Sequence, residues 1–497
     1  MKRVIQLAFF VMVSMGTIAL MAQTNEWKVQ YTTFDDENNG TGNRTASVAV
    51  VGPNRFVALV IRGINPPDFF TPTMNYLVGY WDADSANGRV PAPINGEMTV
   101  PVYGSAGEGQ FSDWQYQIEY VQFKGAWQLA ADDSGYIYVA NNDDAHNILV
   151  YRLTSDGVMY TPYRMETGQE FIWAIDVDDS GYVYVVDFEG TDDKDNEVKI
   201  FAGIHHPNTN WGTIGAHYDD PIATIDLPPG YYQGITVSGD GSMIFISATS
   251  QRKILKFVGS PQGGYQEDTN FHFELSPDDT VGNGGHGTPS VLGLAYSDDP
   301  PFIAATVDTF LFGGDQGGYP YGRVYLIYPG SGSVIDTIDV AEYNKMMTGD
   351  YSTGYDRGNV GGYTSLMDVD FEKTEKALYW QTYYGWQVEK WVFEGDMAVL
   401  GIERISAEVP AQFTLYQNYP NPFNPVTTIK FSVQKASPVK LEVFTISGQK
   451  VATLIHNNLP AGTYTVTFDG SRLASGIYFY QLTAGNYRAT KKMILTR

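Results

Sequence analysis

WQLAADDSGYIYVAN (residues 127–141) and WAIDVDDSGYVYVVD (173–187) are two copies of one pattern, beginning 46 residues apart at 127 and 173. Each has an alternating apolar run, an Asp-Asp-Ser-Gly turn and a second alternating run. Alternation with period two is the mark of a strand with one buried face. In the turn, an Asp side chain can accept from backbone N–H groups ahead of it, and Gly takes positive φ, so the chain reverses into a hairpin. A third copy, QGITVSGDGSMIFIS, spans 233–247. Looser copies read VLGLAYSDDPPFIAATVD (291–308), LMDVDFEKTEKALYWQT (366–382) and SVAVVGPNRFVALVI (47–61). Each hairpin is followed by one more strand: NYLVGYW (75–81), NILVYRL (147–153), EVKIFAG (197–203), RKILKFVG (252–259), GRVYLIYPG (322–330) and QVEKWVFEG (387–395).

Three or four strands per unit, repeated about six times, is the signature of a β-propeller. Six blades are expected. A seventh stays open because the first two copies are widely spaced and MTVPVYG (98–104) would start another hairpin. The strand WKVQYTTF from Trp27 is expected to pair with the last blade and close the ring, since an open ring would expose strand edges. The composition agrees: 35 Tyr, 26 Phe, 9 Trp and 52 Gly favour short strands and tight turns.

These repeats resemble the NHL-repeat and gluconolactonase-like propellers over roughly residues 45–395, on units such as WQLAADDSGYIYVAN followed by NILVYRL. The resemblance implies architecture. Propellers of this appearance include lactonases, lyases, ligand-binding modules and scaffolds, so it leaves activity open.

The two ends of the chain carry transport signals. Lys2 and Arg3 precede an apolar run (4–20) broken by Gln6, Ser14, Gly16 and Thr17, with a small residue at Ala22. That is the layout of an export signal covering 1–22, removed after Ala22, and no other stretch approaches the roughly 20 apolar residues of a spanning helix. The expected division is signal peptide 1–22, propeller 23–400, linker 401–412 and a small β-sandwich 413–497. From residue 409 onward nine Lys or Arg face two acids, a balance of +7, leaving 22 basic and 54 acidic residues elsewhere, or −32. A charge contrast of this size marks an appended module with its own task.

The module reads FTLYQNYPNPFNPVTTIKFSV from Phe413, then alternating strands separated by turns at Ser447-Gly448, Pro460-Ala461-Gly462, Asp469-Gly470 and Ala484-Gly485-Asn486. It closely resembles the type A sorting domain of the type IX secretion system. The matching residues are Tyr419-Pro420-Asn421-Pro422-Phe423, Gly448, Gly462, Gly476 with Tyr478, and the basic Lys491-Lys492 end. The resemblance implies Sec export to the periplasm, outer-membrane passage by the type IX machinery, and a final place at the cell surface or outside.

Chemistry is harder to read. The chain has no cysteine, which removes disulfides, thiolate nucleophiles and zinc ribbons. A net charge of −25 argues against nucleic acid as a partner. The adjacent His205 and His206 point apart on an extended chain, as metal ligands would not. Acid-rich loops at 141–147 and 188–197 suit calcium in composition but lack EF-hand spacing. Trp127, Trp173, Tyr232 and Tyr363 fall near the start of the first strand of their units, where rings could gather at a channel mouth around a sugar, or pack between blades. Inner-strand positions are mostly apolar (Leu129, Ile175, Ile235, Leu294), with Asp176 and Asp368 as acidic exceptions and candidate calcium ligands. Two readings follow: a binding module for an extracellular ligand, glycan or protein, or a calcium-assisted hydrolase or lactonase.

Overall fold

A computed structural model describes residues 27–33, 44–62, 74–80, 89–90, 109–112, 118–121, 128–141, 147–154, 157–166, 172–187, 196–206, 217–218, 220–276, 289–309, 322–348, 366–382, 387–394, 402–406, 408–459, 461–470 and 473–496. The hairpins expected from the repeats form as read. In the second and third blades the turn carboxylates accept as anticipated: Asp132 from Ser134 (2.9 Å) and Tyr136 (3.0 Å), Asp178 from Ser180 (3.0 Å) and Tyr182 (2.9 Å). Gly135 and Gly181 sit at φ +80 and +82, which an L side chain rarely adopts. The fourth blade performs the same turn with Asp240 accepting from Ser242 and Gly241 at φ +67.

Among the described residues six sheets, each of three or more strands, arise from these units, and this part of the chain is a β-propeller. Their innermost strands are Arg44–Gly52, Leu129–Ala131, Ile172–Val177, Tyr232–Val237, Pro289–Asp298 and Leu366–Glu372. Each neighbours the next, and the last returns to the first. The stretch 98–104, named as the start of a seventh unit, lies outside the described residues. A separate two-stranded hairpin, Gly109–Ser112 with Ile118–Val121, joins none of the six sheets.

Closure follows the expected route. Trp27–Thr33 pairs antiparallel with Gln387–Phe393, so the N-terminal strand joins the last blade, and Arg89–Val90 pairs parallel on its far side. Trp27 is 6% exposed and meets Phe393 edge-on at 5.1 Å, within a core that also holds Trp380 and Trp391. The remaining cores lie between successive blades, as in the group of Tyr184, Val186, Ile200, Tyr232, Ile235 and Ile246. Stability is therefore held between sheets rather than within any one of them.

The C-terminal module is a sandwich of two four-stranded sheets. One carries Ile402–Ser406, Gly462–Asp469, Val426–Val433 and Thr414–Leu415; the other carries Lys450–Leu459, Ser437–Thr445, Gly476–Ala484 and Tyr487–Leu495. Their facing residues, among them Ile429, Phe431, Leu441, Tyr480 and Met493, are fully buried. One strand was not anticipated. Ile402–Ser406 falls within the stretch read as linker, yet it pairs with Gly462–Asp469 as a sheet edge. Among the described residues, no helix is long and apolar enough to cross a membrane.

Replacing Trp27 with Ala removes the aromatic anchor of the closing strand. A buried Trp→Ala change costs about 3–5 kcal/mol, so the urea midpoint of the propeller transition should fall clearly. An unchanged midpoint would show that the N-terminal strand contributes nothing to closure.

Candidate functional site

Neighbouring inner strands belong to different sheets, so side chains must bridge them. Asp368 of the last blade accepts from the backbone N–H of Val48 (3.3 Å) and from the hydroxyl of Ser47 in the first. Ser47 Oγ in turn accepts from the N–H of Leu129 (2.9 Å), and Gln128 Oε1 accepts from the N–H of Ile175 (2.9 Å). Gln128 Nε2 returns to Asp368 Oδ1 at 3.3 Å. Ser47, Gln128 and Asp368 are 0, 5 and 4% exposed, so this tier of hydrogen bonds is buried.

On the opposite side of the ring the bridge is replaced by close approach. A Cβ at Gly234 would stand 2.4 Å from the Leu292 carbonyl oxygen, and one at Gly293 would stand 2.4 Å from Asp368 Cα. Only glycine fits at such separations.

From this tier to the face of the Asp-Ser-Gly turns runs a cavity of about 610 Å³. Within it, Asp176 accepts from Val177 and Val237 (both 2.8 Å), and Asp370 accepts from Phe371 (2.7 Å) and Val50 (2.6 Å). Asp133, Asp179, Asp298 and Lys373 line the cavity nearer the turns, and Lys373 is the one cation in its wall among the described residues. Burial raises the carboxyls of Asp176 and Asp370 to about 7 and that of Asp368 to about 6. For Asp370 the charges of Asp176 and Asp368 add to the rise. Asp179 and Asp298 are also raised, first by burial and then by neighbouring carboxylates, while Lys373 opposes the rise at both.

Asp176 and Asp368, singled out in the sequence, thus both reach the axis, at different levels. Asp370, within the inner strand Leu366–Glu372, was missed, and so were the acids of the turn face, because turn-forming Asp residues look alike whether or not they face an axis. The aromatic residues are placed otherwise. Trp173 is 5% exposed and Tyr232 is 1% exposed, the latter packed in the core between the third and fourth blades with its hydroxyl donating to the Pro228 carbonyl. The two strands carry the same bulge at equivalent places, so Tyr232 corresponds to Ile172, and Gln233 to Trp173. Trp127 and Tyr363 lie outside the described residues. So do residues 142–146 and 188–195 of the acid-rich loops. His205 contacts Asp132 at 3.3 Å and His206 packs on the Tyr182 ring, so the pair diverges, but in a turn closed by His206 N–H on the Gly203 carbonyl rather than on an extended segment.

In the sandwich the sorting motif is a built structure. Phe423 is 2% exposed in the core; its N–H donates to the Ile494 carbonyl and its own carbonyl accepts from Thr496 N–H, both at 2.9 Å. Asn421 Oδ1 accepts from Ile494 N–H at 2.9 Å. Gly448 takes φ +81 in its turn, Gly462 and Gly476 open strands, and Tyr478 donates to the Ala474 carbonyl at 2.8 Å. Lys491 and Lys492 stand on the last strand, with Lys492 exposed. Residues 417–496 match the family described as the secretion system C-terminal sorting domain.

The module is a sorting domain. It marks the chain for export by the type IX route to the cell surface or the extracellular space. A comparison of the whole sequence with curated proteins gives no match. Among solved structures, the chain is similar to the Cps50 (Swd1) β-propeller domain of Myceliophteria thermophila (10% identity, 70% of this chain and 96% of that one, TM-score 0.38). It is also similar to the gluconolactonase XC5397 of Xanthomonas campestris (10%, 73% and 88%, TM-score 0.38) and to the periplasmic gluconolactonase of Pseudomonas aeruginosa (12%, 85% and 88%, TM-score 0.36). Likeness at this level speaks to no activity, so function is argued from the axis itself.

The raised carboxyls predict a pH dependence with a definite sign. Each group ionises near pH 4 in the unfolded chain and at about 6–7 in the folded one, so folding takes up protons between these values. Their contribution is most favourable below the unfolded value and is lost as pH rises through 6–7. Urea midpoints for the propeller should therefore be higher at pH 5 than at pH 8, and Asp370→Asn should flatten that difference. A midpoint that rises with pH across this window, in wild type, would contradict the assignment.

Proposed function

We propose that this exported propeller is a binding protein whose axial cavity receives a small positively charged group from the turn face. The observation that carries the reading is a cavity of about 610 Å³ whose wall holds carboxylates from the second, third, fifth and last blades against one lysine. A concave site focuses its own field, and a buried excess of one sign favours a ligand of the other.

The geometry favours binding over calcium-assisted hydrolysis. Calcium-assisted catalysis needs six to eight oxygen ligands converging on one point. Asp176 and Asp368 stand at different levels of the axis, where Asp176 accepts from two backbone N–H groups and Asp368 accepts from Ser47, Val48 and Gln128. Among the described residues no three His, Asp or Glu converge as a metal group. The same carboxylates serve as inter-blade bridges.

The test is thermal melting of the mature chain with spermidine, with calcium after EDTA treatment, and with a neutral sugar. A ligand that binds only the folded state stabilises it by about 2.7 kcal/mol at a hundred times its Kd. Spermidine is expected to raise the propeller midpoint, and Asp179→Asn with Asp298→Asn to abolish the rise. A rise with calcium alone, joined by lactone hydrolysis, would replace this reading with the hydrolase. No shift with either cation would remove the acidic cavity as a cation site.

A further inference from the structure

The lead segment of the sorting domain contains residues in two opposite situations. Asn418 is 2% exposed: its N–H donates to Tyr480 Oη at 2.8 Å, and its Nδ2 donates to Thr427 Oγ1 at 2.9 Å. Asn421 and Phe423 bond the backbone at Ile494 and Thr496, closing part of the outer edge of the final strand. These residues build the fold.

Tyr419 does the reverse. Its backbone is fixed, donating to the Thr428 carbonyl (3.0 Å) and accepting from Thr428 N–H (2.9 Å), while its side chain is 82% exposed. No fold requires an aromatic ring held this way in water. Around it, Tyr416 is 41% exposed with the Lys430 ammonium 5.4 Å from its ring centre, and Val426 is 42% exposed. Two side-chain amides, Gln417 at 2.7 Å and Asn421 at 3.4 Å, donate to the carbonyl of the exposed Lys492.

An aromatic anchor on rigid backbone has little conformational entropy to lose on binding, and tyrosine is enriched where interfaces gain their energy. The module as a whole carries +7 on a chain whose remainder carries −32. We propose that Tyr419, with Tyr416 and Lys430 beside it and Lys492 at its border, is the surface by which this sorting domain is read, and that it docks an acidic protein surface of the export machinery through an aromatic pocket. Asn418, Asn421 and Phe423 act behind it, holding that surface in place.

The experiment uses the full chain expressed in a bacterium with a functional type IX system, measuring exported against periplasmic protein together with the melting temperature of the purified chain. Tyr419→Ala is expected to leave the sandwich melting transition within about 2 °C, as exposed substitutions do, and to cut export about tenfold. Lys430→Glu combined with Lys492→Glu should also lower export without lowering the transition. Val409→Ala, an exposed apolar change outside the patch, should leave both unchanged. Phe423→Ala should lower the transition and export together. The proposal is overturned if Tyr419→Ala exports at the wild-type level, or if it lowers the transition as Phe423→Ala does. If the charge-reversed variant exports normally while Tyr419→Ala does not, the acidic partner is wrong.

Discussion

Everything in the larger domain depends on joining strands that cannot hydrogen-bond to each other. The inner strands of neighbouring blades run side by side around the axis but belong to separate sheets, so no ladder of N–H and C=O groups links them. The protein solves this with side chains at successive steps of the ring. Asp368 reaches Ser47 and Val48, Ser47 reaches Leu129, and Gln128 reaches Ile175. Each bridge satisfies a backbone donor that would otherwise be buried alone, a loss of about 1–3 kcal/mol if unmade. Where glycine replaces the bridging side chain, at Gly234 and Gly293, the backbones themselves close the distance. The Trp27 strand completes the outside of the ring while this tier completes the inside.

The same solution shapes the axis electrostatically. Carboxylates are strong acceptors for backbone N–H groups, yet placing several on one axis raises their joint cost of ionisation. Asp176, Asp368 and Asp370 bear that cost, with carboxyls lifted by burial despite the hydrogen bonds that favour the charged form. A positive charge entering from the turn face would relieve it. On the proposed reading, structure and binding share the same oxygens, and a cationic ligand would tighten the ring as it bound.

Much of the fold was legible because its signals are local. The Asp-Asp-Ser-Gly turns announce themselves through short-range hydrogen bonds at Asp132 and Asp178, and alternation on each side marks the strands. The closing role of Trp27–Thr33 followed from the need to cover an edge. The site was less legible. The bridging tier uses Ser, Gln, Gly and Asp at equivalent places, which share no composition and leave no repeat to see. Aromatic equivalence failed at Tyr232 because it stands level with Ile172, one residue before the Trp173 place that Gln233 fills, and a one-residue offset turns a side chain to the other face. The edge strand Ile402–Ser406 was hidden for a related reason: its partner, Gly462–Asp469, lies far along the chain.

The sorting domain shows how a motif can mix two demands in a few residues. Phe423 and Asn421 are bound by packing and hydrogen bonding, and a change at either would be felt as lost stability. Tyr419 is bound by neither, yet its backbone is pinned on both sides by Thr428. Rigid presentation of an exposed ring costs solubility and returns nothing to the fold, so its explanation has to lie with a partner. The sandwich is then best understood as a frame that holds one aromatic face still, with its cations set around it.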